Sequence, residues 1–182
     1  MWDKQLYLKF DAVNSLADVY LNGELLTTHK GGYSAFIVDI TDKVRNDVSN
    51  LLMVHVNNQN NQIPPLSGDF TIFGGIYRDV WLISVGKQHI SLTDYASPGV
   101  YVDLPFVSEE KAEISVRGTL VNRDVQRAAL KLNVEVLDAD GNPWFSLCVI
   151  SGWMRKGHLL SKNGCNWKIR DCGRPNLLIC IV

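Results

Sequence analysis

Short runs in which apolar and polar residues alternate are the feature that most constrains the fold of this chain. The first run, QLYLKF, places Leu6, Leu8 and Phe10 on one face and Gln5, Tyr7 and Lys9 on the other. A period of two residues is typical of a half-buried β-strand. The dipeptide Asn22-Gly23 separates two later runs and tolerates the positive φ angles of a tight hairpin turn. Helical periodicity is nearly absent, so the pattern predicts an all-β chain of antiparallel sandwiches or barrels.

The strand runs form two groups that meet near Gly86. The first group holds the hairpin and the runs YSAFIVDI, NLLMVHV and GIYRDVWLISV, with one helical turn at DITDKVRND that Asp39 or Thr41 can cap. A polar connector, residues 57–68, separates the last two runs. It is long for a compact domain, and such loops are often functional. We therefore expect a first sandwich in residues 1–86.

The second group, residues 87–142, contains the runs HISLTDY, GVYVDL, AEISVRGTLVN and AALKLNVEVLDADGN. Within the last of these, Asp140-Gly141 predicts another hairpin turn. The regular spacing and alternation of the runs predict an immunoglobulin-like sandwich. These runs alone are too few to complete one, so we expect the second sandwich to be partial.

Residues 143–182 differ from the rest of the chain in charge and pattern. They contain six Lys or Arg residues and one acidic residue, against twelve and eighteen before them, and they lack regular alternation. Their cysteines predict unpaired thiols, with two disulfides as the alternative; a zinc site is disfavoured because no C-x-x-C pair is present. The cysteines are Cys148, Cys165, Cys172 and Cys180. We expect this tail to be translated out of frame, or disordered.

The overall composition provides no support for nucleic acid or membrane partners. The net charge is -1 at pH 7, which gives no electrostatic attraction to nucleic acid or an anionic membrane. No apolar run approaches the roughly 18 residues needed to span a bilayer. The start, MWDKQLYLKF, lacks the layout of a secretion signal. The compartment stays open between the periplasm and the cytoplasm of a bacterial-type cell.

Several segments together resemble glycoside hydrolase family 2, the family of β-galactosidases, β-glucuronidases and β-mannosidases. They are DAVNSLADVYLNGELLTTHKGGYSAFIVDITDKV, NLLMVHVNN and SGDFTIFGGIYRDVWLI. The resemblance covers about residues 1–142. It implies a sugar-binding, galactose-binding-like jelly roll in residues 1–86, truncated at its start, and the beginning of an immunoglobulin-like β-sandwich in residues 87–142.

The resemblance also implies what this chain lacks. Members of the family end with a catalytic (β/α)₈ barrel, a fold that needs about 200 residues or more. No strand–helix alternation is present here, so we expect a fragment of a β-galactosidase-like enzyme that is inactive by itself. Retaining glycosidases need two carboxyl groups about 5 Å apart, and we assign no such catalytic pair. The expected partners are a galactoside-like carbohydrate and the missing barrel.

Asp69 is the candidate substrate-binding residue. In SGDFTIFGGIYRDV it follows a Ser-Gly turn, and an Asp at such a place can hydrogen-bond its own turn. The resemblance to β-galactosidases implies that an aspartate here reaches the barrel's active site and holds the galactosyl unit, partly through a monovalent cation. An ionised carboxylate accepts strong hydrogen bonds, which suits that task. We expect no cofactor in this chain, and Na⁺ or Mg²⁺ only in the complete parent enzyme.

The residues that follow Asp69 are assigned structural roles. Gly74 and Gly75 are predicted to provide a backbone conformation closed to other residues. Arg78 and Asp79 are predicted to be structural, because an Arg in a strand can form a bidentate salt bridge that fixes a loop. A stand-alone carbohydrate-binding module is the alternative function, because jelly rolls bind glycans, although the sequence contains no evident aromatic platform.

Overall fold

A computed structural model of the chain describes residues 3–59, 63, 68–69, 71–108, 112–138, 140–154, 156 and 177–181. All regular structure in this described part is β-strand, which confirms the all-β prediction. The chain divides into two compact units. The first unit comprises Met1–Gly86 with Leu92–Ser97, and the second comprises Lys87–Ser91 with Pro98–Val182. Within the described residues, no helix is long and apolar enough to cross a membrane.

The first unit is a β-sandwich. Its strands are β1 (Lys4–Phe10), β2 (Val13–Asn14), β3 (Leu16–Leu21), β4 (Glu24–Lys30), β5 (Phe36–Asp39), β6 (Leu52–Asn57), β7 (Gly75–Ile76) and β8 (Val80–Gly86). One antiparallel sheet has the order β5-β1-β8, a second has the order β4-β3-β6, and β2 pairs with β7. Apolar side chains from both three-stranded sheets form one buried cluster, which includes Leu8, Phe10, Val19 and Phe36.

Strand β1 is buried on both faces. Tyr7 is 1% exposed and Gln5 is 9% exposed, so the predicted polar face of this strand is wrong at these two positions. Strand β1 is the middle strand of its sheet, paired with β5 on one side and with β8 on the other. Alternation within one run does not reveal whether the rest of the fold covers the second face.

The hairpin predicted at Asn22-Gly23 is confirmed. It joins β3 to β4, and both residues have positive φ, 54° for Asn22 and 86° for Gly23. The Asn22 side chain also accepts a hydrogen bond from the backbone of Leu51 at 3.1 Å. The helical turn after β5 is a single hydrogen-bonded turn, in which the amide of Thr41 donates to the Asp39 carboxylate at 3.0 Å.

The run GIYRDVWLISV forms two strands rather than one. Strand β7 pairs with β2, whereas β8 pairs with β1. Because the run changes partners between them, residues 77–79 leave the strand geometry and turn. The amide of Asp11 donates to the carbonyl of Asp79 at 3.0 Å, directly beside the last β1–β8 pair. Asp79 therefore lies directly before β8, and its predicted structural role stays a prediction.

The second unit is also built of antiparallel strands. They are β9 (Gln88–Ile90), β10 (Val100–Val107), β11 (Ala112–Gly118), β12 (Leu120–Asn122), β13 (Ala128–Asp138), β14 (Pro143–Met154) and β15 (Leu177–Ile181). Strand β10 pairs with β11, β12 pairs with β9, and the third sheet has the order β14-β13-β15. Its most buried apolar side chains are those of Ile114, Val116, Val134 and Val136.

Strand β14 was not predicted from the sequence. The hairpin turn predicted at Asp140-Gly141 is confirmed, with a Gly141 φ of 83° and the Asp138 carboxylate accepting the Asp140 amide at 3.0 Å. The turn reverses the chain direction, and β14 then pairs with β13 in antiparallel orientation. The prediction that residues 143–182 are out of frame or disordered stays a prediction: β14 and β15 lie within this range, and residues 157–176 lie outside the described residues.

Candidate functional site

Asp69 is exposed and lies a few residues before β7. Among the described residues, no hydrogen bond or ion pair engages its carboxylate. Both lone-pair-rich oxygens can therefore accept hydrogen bonds from an incoming hydroxyl group. Its predicted role in substrate binding stays a prediction.

The segment that follows Asp69 is fastened to β2. Asn14 pairs with Gly75, and its side-chain amide donates to the carbonyl of Phe73 at 2.7 Å. Gly75 has a φ of 82°, a conformation that favours glycine. A Cβ on Gly74 would overlap the side-chain amide of Asn58. These contacts fix the backbone of residues 73–75, a few residues after Asp69.

Tyr77 connects the same segment to the turn after β4. Its hydroxyl donates a hydrogen bond to the carbonyl of Gly32. Its ring lies 6.3 Å from the ring of Phe73, and the guanidinium carbon of Arg78 lies 5.9 Å from its centroid. Tyr77 thus links the bend to the turn after β4.

A shallow open depression of about 500 Å³ lies beside this bend. It is lined by Asp11, Tyr33, Ala35, Tyr77, Arg78 and Asp79. Arg78 is exposed, and within the described part of the chain no carboxylate lies within ion-pair distance of its guanidinium. The salt bridge predicted for Arg78 therefore stays a prediction. Its contact with the Tyr77 ring is of the cation–π type.

Asp11 is held ionised at the edge of the depression. Lys9 donates to one carboxylate oxygen at 2.9 Å, and the indole nitrogen of Trp81 donates to the other at 2.8 Å. These hydrogen bonds, followed by the positive charges of Lys9 and Arg78, lower the pKa of Asp11 below 3.8. An acid with a lowered pKa cannot serve as a proton donor near neutral pH.

Two other carboxyl groups also have lowered pKa values. The hydroxyl of Thr28 donates to Asp18 at 2.6 Å and is the main cause of its lowered pKa. The backbone amide of Gln126 is the main cause at Asp124. Retaining glycosidases need one carboxylic acid whose pKa is raised, and these shifts run in the opposite direction. No group of three or more His, Cys, Asp or Glu able to hold a metal occurs among the described residues.

The sequence analysis missed the cluster around Asp11. Trp81 lies on β8, which is an edge strand among the described residues, and 51% of its surface is exposed. Its partner Asp11 is 70 residues away in the chain, and no local motif connects them. Only the antiparallel pairing of Lys9 with Trp81 brings the two together.

Comparison with known proteins gives a consistent family. The profile "Glycosyl hydrolases family 2, sugar binding domain" matches residues 1–86. The chain is 45% identical over 139 residues to a β-glucuronidase of Bacteroides fragilis, covering 76% of this chain and 20% of that protein. It is 34% identical over 142 residues to a β-galactosidase of Thermoanaerobacter pseudethanolicus, covering 76% of this chain and 18% of that protein.

Solved structures agree with the sequence relatives. A calcium binding mutant of Bacteroides uniformis β-glucuronidase 2 superposes with a TM-score of 0.84 at 37% identity, covering 93% of this chain and 20% of that one. The chain therefore spans about a fifth of the length of the relatives it matches. Through residues 1–86, this chain belongs to glycosyl hydrolases family 2, as a sugar binding domain of that family.

Proposed function

We propose that this chain is the non-catalytic, sugar-binding part of a family 2 glycoside hydrolase, and that Asp69 contributes to the substrate pocket. The observation that carries the proposal is the state of Asp69: an exposed carboxylate that no described residue engages, just before a segment anchored to β2. Because the Asp69 carboxylate makes no hydrogen bond with a described residue, it breaks none of these when it binds a sugar hydroxyl. A charge-assisted hydrogen bond of this kind contributes about 1.5–3 kcal/mol.

Cleavage of the O-glycosyl bond is assigned to a catalytic domain outside this sequence. Among the described residues, Asp11, Asp18 and Asp124 have lowered pKa values, because neighbouring donors stabilise their anions. None is poised to donate a proton to a leaving group. The chain by itself is therefore expected to be inactive towards glycosides.

The substrate class is proposed from the activities named for the relatives. Those named above are β-glucuronidases and a β-galactosidase, so both β-glucuronides and the β-galactosides expected from the sequence belong in the test. Asp69 alone cannot form a cation site, because Na⁺ and Mg²⁺ are held by several oxygen ligands. Any such ion would need further ligands from the catalytic domain.

The test replaces the matched region of the Bacteroides fragilis β-glucuronidase by the corresponding residues of this chain. The chimera should hydrolyse nitrophenyl substrates, whereas the isolated chain should not. Asp69→Asn should lower kcat/KM of the chimera about tenfold to hundredfold, the equivalent of one charge-assisted hydrogen bond. Asp42→Asn is the matched control, since Asp42 is likewise exposed and unengaged among the described residues. Equal effects of the two substitutions, or hydrolysis by the chain alone, would contradict the proposal.

A stand-alone carbohydrate-binding module is the second candidate function. The observation in its favour is the exposure of three aromatic side chains near the depression: Tyr33 is 51%, Phe73 62% and Trp81 51% exposed. Aromatic faces stack on sugar rings through their apolar surface. Titration calorimetry of the chain with galactose, lactose and glucuronate decides the matter. Millimolar or tighter binding that is lost in Trp81→Ala would support this candidate, and absence of heat would exclude it.

A further inference from the structure

The hairpin turn between β3 and β4 contains a dipeptide whose side chain and backbone can react with each other. The side-chain amide of an asparagine is chemically labile, because the backbone nitrogen of the next residue can attack it. Glycine hinders this attack least, since it has no Cβ. In Asn22-Gly23, the amide of Gly23 makes no hydrogen bond with a described residue, and a Cβ added to Gly23 would meet nothing within 4 Å. The attacking nitrogen is therefore accessible at this turn.

The side chain of Asn22 is held by residues 43–51, which we call the 43–51 loop. Its Nδ2 donates to Oδ1 of Asn50 at 2.9 Å and to the carbonyl of Lys43 at 3.4 Å. Its Oδ1 accepts the amide of Leu51 at 3.1 Å, and the backbone amide of Asn22 donates to the carbonyl of Leu51 at 2.9 Å. Reaction with the backbone replaces Nδ2 and moves Cγ, so the side chain must first leave these partners.

Asn50 is itself fixed within the 43–51 loop. Its Oδ1 also accepts the amide of Arg45 at 2.8 Å, and its Nδ2 donates to the carbonyls of Arg45 and Val48 at 2.9 and 3.2 Å. Both polar ends of the side chain are therefore engaged, so its amide cannot turn round without breaking these hydrogen bonds. Asn50 consequently presents a fixed acceptor to Asn22.

We propose that Asn22 is a site of spontaneous deamidation whose rate is controlled by opening of the 43–51 loop. In the open state, the backbone nitrogen of Gly23 attacks Cγ of Asn22 and loses its proton, and Nδ2 leaves as ammonia. The product is a five-membered cyclic imide. Water then hydrolyses one of the two carbonyl–nitrogen bonds of the imide, which leaves an aspartate or an isoaspartate at position 22. Water is the only co-reactant, and nothing is oxidised or reduced.

The product fits the closed loop less well than Asn22 does. An ionised carboxylate has no donor, so it cannot replace the hydrogen bonds from Nδ2 to Asn50 and to the carbonyl of Lys43. It places a negatively charged oxygen against these two acceptors instead. The ammonium group of Lys43 is paired with Glu24 at 2.5 Å and is not free to compensate. Deamidation should therefore loosen the contact between the hairpin turn and the 43–51 loop.

Peptide mapping by mass spectrometry of the purified chain, kept in mildly alkaline buffer, tests the proposal. The conversion of amide to acid at Asn22 is followed over days in the folded chain and in concentrated urea. Deamidation should be at least about tenfold slower in the folded chain, because several hydrogen bonds must break before the reaction. The second Asn-Gly dipeptide, Asn163-Gly164, lies outside the described residues and is measured separately on its own peptide.

Three variants separate the control by the loop from the chemistry of the dipeptide. Asn50→Ala removes the acceptor of Nδ2 and should raise the deamidation rate at Asn22 in the folded chain about threefold to tenfold. Asn46→Ala is the matched control and should not change the rate, because Asn46 lies in the same loop, is exposed and makes no hydrogen bond with the described residues. Gly23→Ala is compared in urea, where its methyl group should slow the reaction by hindering the attacking nitrogen. Circular dichroism verifies that the first two variants remain folded.

Hydrogen exchange of the unsubstituted chain gives a second readout that needs no variant. The amide of Leu51 is bound by Oδ1 of Asn22, so its exchange rate reports opening of the same contact. At rising urea concentrations below the unfolding midpoint, this exchange rate and the deamidation rate at Asn22 should increase in parallel. Deamidation that is equally fast in the folded chain and in urea, or absent from both, would overturn the proposal. A folded Asn50→Ala variant with an unchanged rate, or a deamidation rate that does not follow the Leu51 exchange, would also overturn it.

Discussion

Phe10→Ala should be the most damaging conservative truncation in the first unit. Phe10 is 0% exposed and belongs to the central strand β1. Its ring stacks on that of Phe36, its cross-strand partner, with centroids 4.7 Å apart and planes 9° from parallel. On its other side, Phe10 pairs with Val80 of β8. Truncation therefore removes a side chain that both neighbouring strands contact.

The expected cost follows from burial. Truncating a fully buried Phe to Ala costs about 3–5 kcal/mol, which combines lost transfer free energy with the cavity left behind. A unit of about 90 residues has a total unfolding free energy of about 5–13 kcal/mol. The substitution should thus remove a large fraction of the stability of the first unit, and lower its Tm by about 15–30 °C.

Hydrogen exchange measured by mass spectrometry at increasing urea reports the two units separately, because peptides of β1 and β3 belong to the first unit and those of β13 to the second. Phe73→Ala is the control: it makes the same change at a side chain that is 62% exposed, and it should cost about 1 kcal/mol or less. If both substitutions destabilise β1 equally, the assignment of Phe10 to a closely packed core is wrong.

Three further predictions concern local features of the first unit. Asn22→Ala should lower the free energy of unfolding by about 1–3 kcal/mol, because it removes the acceptor for the Leu51 amide at a residue with positive φ. The urea midpoint of this variant is compared with that of Asn46→Ala, since Asn46 is exposed and makes no hydrogen bond with the described residues. Gly75→Ala should lower the free energy of unfolding by about 1–2 kcal/mol through backbone strain alone, because an added Cβ would have no atom within 4 Å. An unchanged Tm would refute this prediction. Burial lowers the pKa of His29 below 6.5, the value of a free imidazole. At a pH just below 6.5 the unfolded chain therefore binds more protons than the folded chain does. The free energy of unfolding should consequently decrease as the pH drops through the window below 6.5. The His29→Gln variant should lose this slope when urea midpoints are compared across the window, and an unchanged slope would refute the assignment.

Local rules were enough for the features that depend on neighbouring residues. The positive φ angles of Asn22-Gly23 and Gly141, the single turn after β5 and most strands of both units follow from turn chemistry and alternation. The position of Asp69 a few residues before Gly74-Gly75 is likewise given directly by the sequence. These interactions span a few residues, so the residues concerned specify them without help from the rest of the fold.

The tertiary structure alone decided which faces are covered and which distant residues meet. Tyr7 alternates like a surface residue but is buried, because β1 is the middle strand of its sheet. Asp11 and Trp81 meet only because β1 and β8 are paired. Strand β14 exists opposite β13, although its sequence has no strand period. Pairing and burial are properties of two or more segments brought together by the whole fold, and the residues of one segment do not contain that information.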